Sequence, residues 1–362
     1  MTSLFSPLTL ARGPAWKNRF MLAPLTNTQS HADGVLSDTE YKWLVMRAKG
    51  GFGLTMTCAA HVQAVGQGFP GQLGAWDDRH VEGLTRLAAA IKAHGSVSSL
   101  QIHHAGNRSP KELVGTPVCP SDDPKTGARG LSLSEVEALR EAYVEAAVRA
   151  EKAGFDGAEI HGAHGYILAQ FLSSEINHRD DRYGGSLQNR ARIVLEIIDG
   201  VRARTRPDFQ LGLRLSPERF GLKLAEIRDL AAEILRDGKI DYLDMSLWDV
   251  VKEPVEDEFK GRTLMSVFTE LPRGSVRLGA AGKVMSGPQA QGVLDAGCDF
   301  VVVGRGAILR HDFPDRVKAD ANYQSPQTPV TVQHLLDEGL SPAFVQYMRQ
   351  WPNFVEAEAT AA

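Results

Sequence analysis

Cysteine is scarce in this chain: Cys58, Cys119 and Cys298 are the only three among 362 residues, far apart and with no Cys-x-x-Cys pair. That scarcity excludes a disulfide framework, an iron-sulfur cluster and a four-cysteine zinc site, and leaves an organic cofactor open. Charge of a single sign is lacking too. A formal net charge of -4, with acidic and basic residues interspersed, provides no clustered basic footprint, so nucleic acid is not an expected partner. No apolar run approaches the roughly 20 residues of a membrane span, and Met1-Thr2-Ser3-Leu4-Phe5 has no basic region leading into an apolar core. The expectation is a cytoplasmic protein without membrane association. A Gly-x-Gly-x-x-Gly turn after the first strand is missing, which disfavours an open dinucleotide-binding sheet.

What is present is alternation. Short β-branched or apolar runs recur between longer segments of helical period, the signature of parallel strands joined by crossover helices. Eight runs qualify: Phe20–Ala23, Gly53–Cys58, Val97–Ile102, Gly157–Ile160, Leu211–Leu215, Tyr242–Ser246, Val276–Gly279 and Phe300–Val303. Several are almost wholly apolar, as strands buried on both faces must be. Helices are expected over Thr39–Lys49, His80–Ala93, Glu135–Ala153, Leu187–Arg204, Leu224–Arg236 and Gln289–Ala296. Ser134 with Glu137 forms a capping box for the third, and Gly154 stops it. The fold class is therefore α/β, an eight-stranded parallel (β/α)8 TIM barrel forming one domain over 1–362. The long connections His103–Leu133 and Leu247–Arg262, after strands three and six, read as lids over one mouth. Residues from about 323 to 362 read as a C-terminal extension that packs on the barrel or a neighbouring subunit, ending in a frayed tail from Glu356 to Ala362.

Barrel active sites lie at the carboxyl ends of the strands, and the polar residues gather there. Gln101 sits near the end of strand three, His161 ends strand four with His164 and Tyr166 following, Arg214 lies in strand five, and Gly304-Arg305 closes strand eight. A guanidinium inside a barrel needs an anion, either Glu159 or Asp244 as a structural partner or a bound ligand. Gly279, Gly282 and Gly304, with Arg305, suit a phosphate. His161, His164 and Tyr166 either bind a metal, with His103 and His104 contributing, or hold a substrate oxygen while the phenol delivers a proton.

These residues fall within motifs that resemble the old yellow enzymes, the FMN-dependent ene-reductases, along nearly the whole chain. The resemblance is carried in order by Leu4-Phe5-Ser6-Pro7-Leu8, Lys17-Asn18-Arg19-Phe20-Met21-Leu22-Ala23-Pro24-Leu25-Thr26 and Gln101-Ile102-His103-His104-Ala105-Gly106. It continues through Gly154-Phe155-Asp156-Gly157-Ala158-Glu159-Ile160-His161-Gly162-Ala163-His164-Gly165-Tyr166, Arg182-Tyr183-Gly184-Gly185-Ser186-Leu187-Gln188-Asn189-Arg190, Leu213-Arg214-Leu215-Ser216-Pro217 and Val303-Gly304-Arg305. It implies FMN held by Ala23, Pro24, Leu25, Thr26, Ala59, Gln101, Arg214, Ala281, Gly282, Gly304 and Arg305. In that reading Arg214 meets the charge of reduced flavin around N1, Gln101 meets the pyrimidine edge, Thr26 donates to the C4 carbonyl, and the last four hold the phosphate. NADH or NADPH reduces the flavin, and hydride then passes from N5 to the β-carbon of an enone, enal, maleimide or nitroalkene. His161 and His164 bind the activating oxygen, and Tyr166 protonates the α-carbon. No resident metal is implied, and the protein is expected as a monomer or homodimer. Asn27 stands where many relatives carry Arg, and Thr26 replaces the Cys of one branch. The chain is too short and cysteine-poor for the fused iron-sulfur architecture of dienoyl-CoA reductases. Two other readings of the same residues are a flavin-dependent dehydrogenase or demethylase of one metabolite and a metal-dependent barrel hydrolase.

Overall fold

The eight apolar runs become the strands of one closed, all-parallel barrel in the computed structural model, which describes residues 3–357. The strands are β1 (Phe20–Leu22), β2 (Leu54–His61), β3 (Val97–His103), β4 (Gly157–Gly162), β5 (Gln210–Leu215), β6 (Tyr242–Ser246), β7 (Arg277–Ala281) and β8 (Phe300–Val303). Each pairs with its sequence neighbours, and β1 closes the ring on β8 through Phe20 opposite Val301 and Leu22 opposite Val303. Of the residues past the tail's start at Glu356, 358–362 lie outside the described residues.

Strand ends differ from the apolar runs because the ladder, not hydropathy, decides them. β2 runs on to His61, which pairs with His103, and β4 runs on to Gly162, opposite Leu215. Polar residues thus remain in the ladder at the mouth, where one face opens onto a cavity. The helix after β3 spans Leu133–Lys152, and its capping box is Ser132 with Glu135, not Ser134 with Glu137. Both pairs share the Ser-x-x-Glu spacing. The earlier one wins because Arg129 clamps the Glu135 carboxylate at 2.7 Å while Ser132 N–H donates to it at 2.8 Å. Gly154 follows that helix at φ +82°, a stop that only a residue without Cβ takes readily. The helix after β7 starts at Gly287, two residues before the expected Gln289, on a Ser286 cap with proline in its first turn.

The main core lies between strands and helices, and a second fills the barrel's lower interior. There Trp16 packs edge-on against Tyr242 and Phe300, with ring centroids 5.5 and 5.0 Å away, and its indole N–H donates to Gln210 at 3.1 Å. Gly279 belongs to this plug. A Cβ there would come within 2.1 Å of the Phe300 ring, and the residue lies inside β7, so it admits an aromatic side chain and is not a phosphate-binding glycine. With the bottom sealed, the barrel's own cavity opens at the carboxyl ends. Beyond β8, helix Pro342–Met348 packs Phe344 on Trp43, ring centroids 5.6 Å apart, and turns Tyr347 and Met348 toward that space.

Candidate active site

A cavity of about 510 Å³ opens at the carboxyl ends of the strands. Its wall contains every residue that the family resemblance assigns to cofactor or substrate: Ala23, Pro24, Leu25 and Thr26 after β1, Ala59 in β2, Gln101 in β3, His161 in β4 with His164 and Tyr166 beyond, Arg214 in β5, Ala281 and Gly282 at β7, and Gly304 and Arg305 at β8. An adjoining cavity of about 570 Å³ shares Lys283, Arg305 and Trp351 but reaches none of the histidines.

Arg214 sits 5% exposed, with Nε 3.0 Å from Asp244 Oδ2. The contact is an ion pair in distance only: neither that Nε nor either Asp244 oxygen has an aligned hydrogen bond. Glu159 turns elsewhere and accepts from Gln101 Nε2 at 2.7 Å. Two fully buried carboxyls thus share one guanidinium. Burial, then repulsion from Asp244, pushes Glu159 up to about 8, and burial likewise raises Asp244. The Arg214 cation is not saturated by protein hydrogen bonds and lines the cavity, which suits an electron-rich ring edge, while Gln101 beside it offers a donor and an acceptor. At the opposite end, the Arg305 guanidinium lies 4.9 Å from the Trp351 ring next to Gly304 and Gly282. A cavity with a buried cation at its floor and a glycine-lined arginine at one end fits the polar ring and phosphate of FMN.

His161 and His164 meet directly. The Ala163 N–H donates to His161 Nδ1 at 3.3 Å, which puts the His161 proton on Nε2, 3.1 Å from His164 Nδ1. His164 then carries its proton on Nε2 and donates to Ser246 Oγ at 2.7 Å. Burial, followed for His161 by its partner His164 and for His164 by Arg214, holds both imidazoles well below their usual pKa, so the pair is neutral at physiological pH. The Tyr166 ring is fixed by the edges of His103 at 4.4 Å and His161 at 5.3 Å, with the Arg108 guanidinium 4.7 Å over its face.

His104 does not join this group. It is buried elsewhere, its Nδ1 accepting from the Gly106 N–H at 3.0 Å. Among the described residues no set of three or more His, Cys, Asp or Glu is placed to hold a metal ion. Asn27 also stays off the cavity wall, donating to the buried Glu40 at 3.1 Å, where Cys58 and Ser30 also bond. Glu40 thereby ties the turn after Thr26 to the strand position before Ala59. Residues outside the motifs that also line the cavity are Ser246, Arg108, Arg219 and Trp248, together with Tyr347 from the C-terminal helix. Only the position of Ser246 at the end of a strand candidate could have flagged it.

Residues 3–324 match the family described as the NADH:flavin oxidoreductase / NADH oxidase family. A probable NADH-dependent flavin oxidoreductase of Bacillus subtilis, YqiG, is 38% identical over 327 residues, covering 87% of both chains. Among solved structures, the old yellow enzyme homologue from Zymomonas mobilis superposes with a TM-score of 0.80 at 28% identity, over 92% of this chain and 96% of its own. Morphinone reductase in complex with tetrahydroNAD gives 0.78 at 28% identity, over 92% of this chain and 94% of its own.

Proposed function

Because this chain belongs to the NADH:flavin oxidoreductase / NADH oxidase family, the old yellow enzymes, and is an FMN- and NAD(P)H-dependent oxidoreductase, we propose that it reduces activated alkenes: enones, enals, maleimides and nitroalkenes. The observation that carries this reading is the neutral His161–His164 pair beside Tyr166, at one side of a cavity with Arg214 at its floor and Arg305 at its far end. Bound FMN would supply the hydride chemistry that links NADH or NADPH to the alkene. Arg214 and Gln101 would hold its pyrimidine edge, Ala23 to Thr26 and Ala59 its ring system, and Ala281, Gly282, Gly304 and Arg305 its phosphate.

The chain's own part is to polarise and protonate. His161 and His164 donate hydrogen bonds to the carbonyl or nitro oxygen, drawing electron density from the β-carbon, and as neutral imidazoles they do so without adding a buried charge. Tyr166 gives its phenolic proton to the α-carbon and regains one from solvent. For both imidazoles to donate, His164 must present Nδ1–H in place of Nε2–H. Ser246 permits the change, since its hydroxyl can donate to Nε2 as readily as accept from it.

Purified protein is expected to be yellow, to bleach with NADH or NADPH without oxygen, and to recover its colour on adding an enone or nitroalkene. A bleached flavin that no activated alkene reoxidises would overturn the acceptor assignment, leaving the oxidoreductase intact and favouring the oxidation of a particular metabolite. The Ser246 argument has its own test. Ser246→Ala should weaken binding of a non-reacting phenol or carbonyl ligand about fivefold, the worth of one modest hydrogen bond, as read from the flavin spectrum. Undiminished affinity in that variant would remove Ser246 from the tautomer argument.

A further inference from the structure

We infer that Arg108 and Arg219 form an anion subsite at the mouth of the cavity, taking the carboxylate or phosphate oxygens of a ligand whose reacting end lies against His161, His164 and Tyr166. The inference rests on the flavin-site reading above and adds a charge requirement to the ligand.

The cavity wall holds five basic side chains, Arg108, Arg214, Arg219, Lys283 and Arg305, and not one Asp or Glu. Three of the five have an occupation. Arg214 is paired with Asp244, Lys283 with Asp249 at 3.0 Å, and Arg305 stacks on Trp351 at the end assigned to phosphate. Arg108 and Arg219 are exposed and have no carboxylate partner among the described residues. Neutral groups pin them instead. Arg108 donates to the His164 carbonyl oxygen and lies over Tyr166, while Arg219 lies 4.8 Å from the Trp248 ring and 5.6 Å from Phe220. Aromatic faces and a carbonyl orient a guanidinium without neutralising it, so its remaining N–H donors and its full charge face an entering ligand.

Backbone geometry adds an independent observation. Arg219, Phe220 and Trp248 all adopt positive φ, +72°, +55° and +67°, a region that residues with a Cβ occupy at a cost and that clusters where ligands are gripped. Topology supplies the aim. Arg108 follows β3, His164 follows β4 and Arg219 follows β5, and these three strands are adjacent in the barrel. The two guanidinium groups therefore flank the segment that carries His164 and Tyr166. A site so placed, with no carboxylate on the cavity wall, draws in an anion and can grip it through paired N–H donors.

Two ligands of a flavin site carry such oxygens: an acceptor with a carboxylate remote from its activating carbonyl, and the diphosphate of a nicotinamide dinucleotide. The test uses the FMN-loaded enzyme at low ionic strength, with each half-reaction followed separately. Acceptors are β-acetylacrylic acid and its uncharged methyl ester; donors are NADH and the uncharged N-benzyl dihydronicotinamide. Calorimetry with levulinic acid and methyl levulinate supplies a binding readout without turnover. The wild type should favour the charged member of at least one pair, and Arg219→Gln should lower kcat/KM for that member about fivefold more than for its neutral counterpart. Arg108→Gln should do the same, and added salt should erase the preference. A preference among acceptors identifies the carboxylate as the anion bound; a preference among donors identifies the diphosphate. Equal handling of charged and neutral members in both arms, or variants that lose both members alike, would overturn the subsite. Protein that takes up no FMN would instead overturn the underlying flavin reading.

Discussion

Tyr166→Phe is expected to slow alkene turnover by about a hundredfold or more, while flavin reduction by NADH or NADPH stays within about twofold of the wild type. The size follows from the surroundings. Phenylalanine keeps the ring that His103, His161 and Arg108 fix, so position is retained and only the O–H is lost. Nothing nearby replaces it as an acid. Burial holds His103, His161 and His164 well below the usual histidine range, so at neutral pH none carries an extra proton to give. Anaerobic stopped-flow with the half-reactions separated is the measurement. Equal slowing of both would show that Tyr166 shapes the site generally, and no slowing of either would reassign the proton to water.

Arg214→Met is expected to yield protein with little or no yellow colour and a lowered Tm. Met fills similar volume but leaves Asp244 and Glu159, both fully buried, without their cation. Breaking a buried ion pair from one side costs about 3–5 kcal/mol when the remaining charge cannot escape. Here it can escape by protonation, which fixes the pH dependence. Both carboxyls already have folded pKa values above their ordinary ones, so the folded state holds protons that the unfolded state has released. Stability therefore falls as pH rises from the unfolded pKa through the raised folded value, and removing the cation raises that value further. The variant's Tm deficit should be small near about pH 5 and largest near about pH 8. Adding Asp244→Asn should recover much of the Tm without restoring FMN. Full flavin retention with a deficit independent of pH would show that Arg214 serves neither role.

The barrel was legible because buried parallel strands and amphipathic helices write different periods into the chain, and the motif residues were legible because strand ends put them at one mouth. Contacts between distant strands were not. Ser246 acquires its part only through His164, from another strand, and Arg219 acquires its place only through Trp248 on the next loop. Gly279 shows the converse error, since a glycine near a strand end looks like phosphate chemistry until Phe300 is seen filling the space. The capping box was misplaced by two residues because Arg129, which selects Glu135, lies outside the local pattern. Arg214 takes Asp244, the structural partner of the two alternatives, and also lines the cavity.

The seam between β1 and β8 carries a consequence for synthesis. Phe20 meets Val301, and the cavity wall draws on the ends of all eight strands, from Ala23 to Arg305. A nascent chain therefore owns no finished pocket until its last strand has left the ribosome, whatever its earlier helices have packed against. Cofactor uptake is accordingly a readout of completeness. A chain halted before β8 is expected to stay colourless, and a cofactor bound across the seam would stabilise only the closed ring.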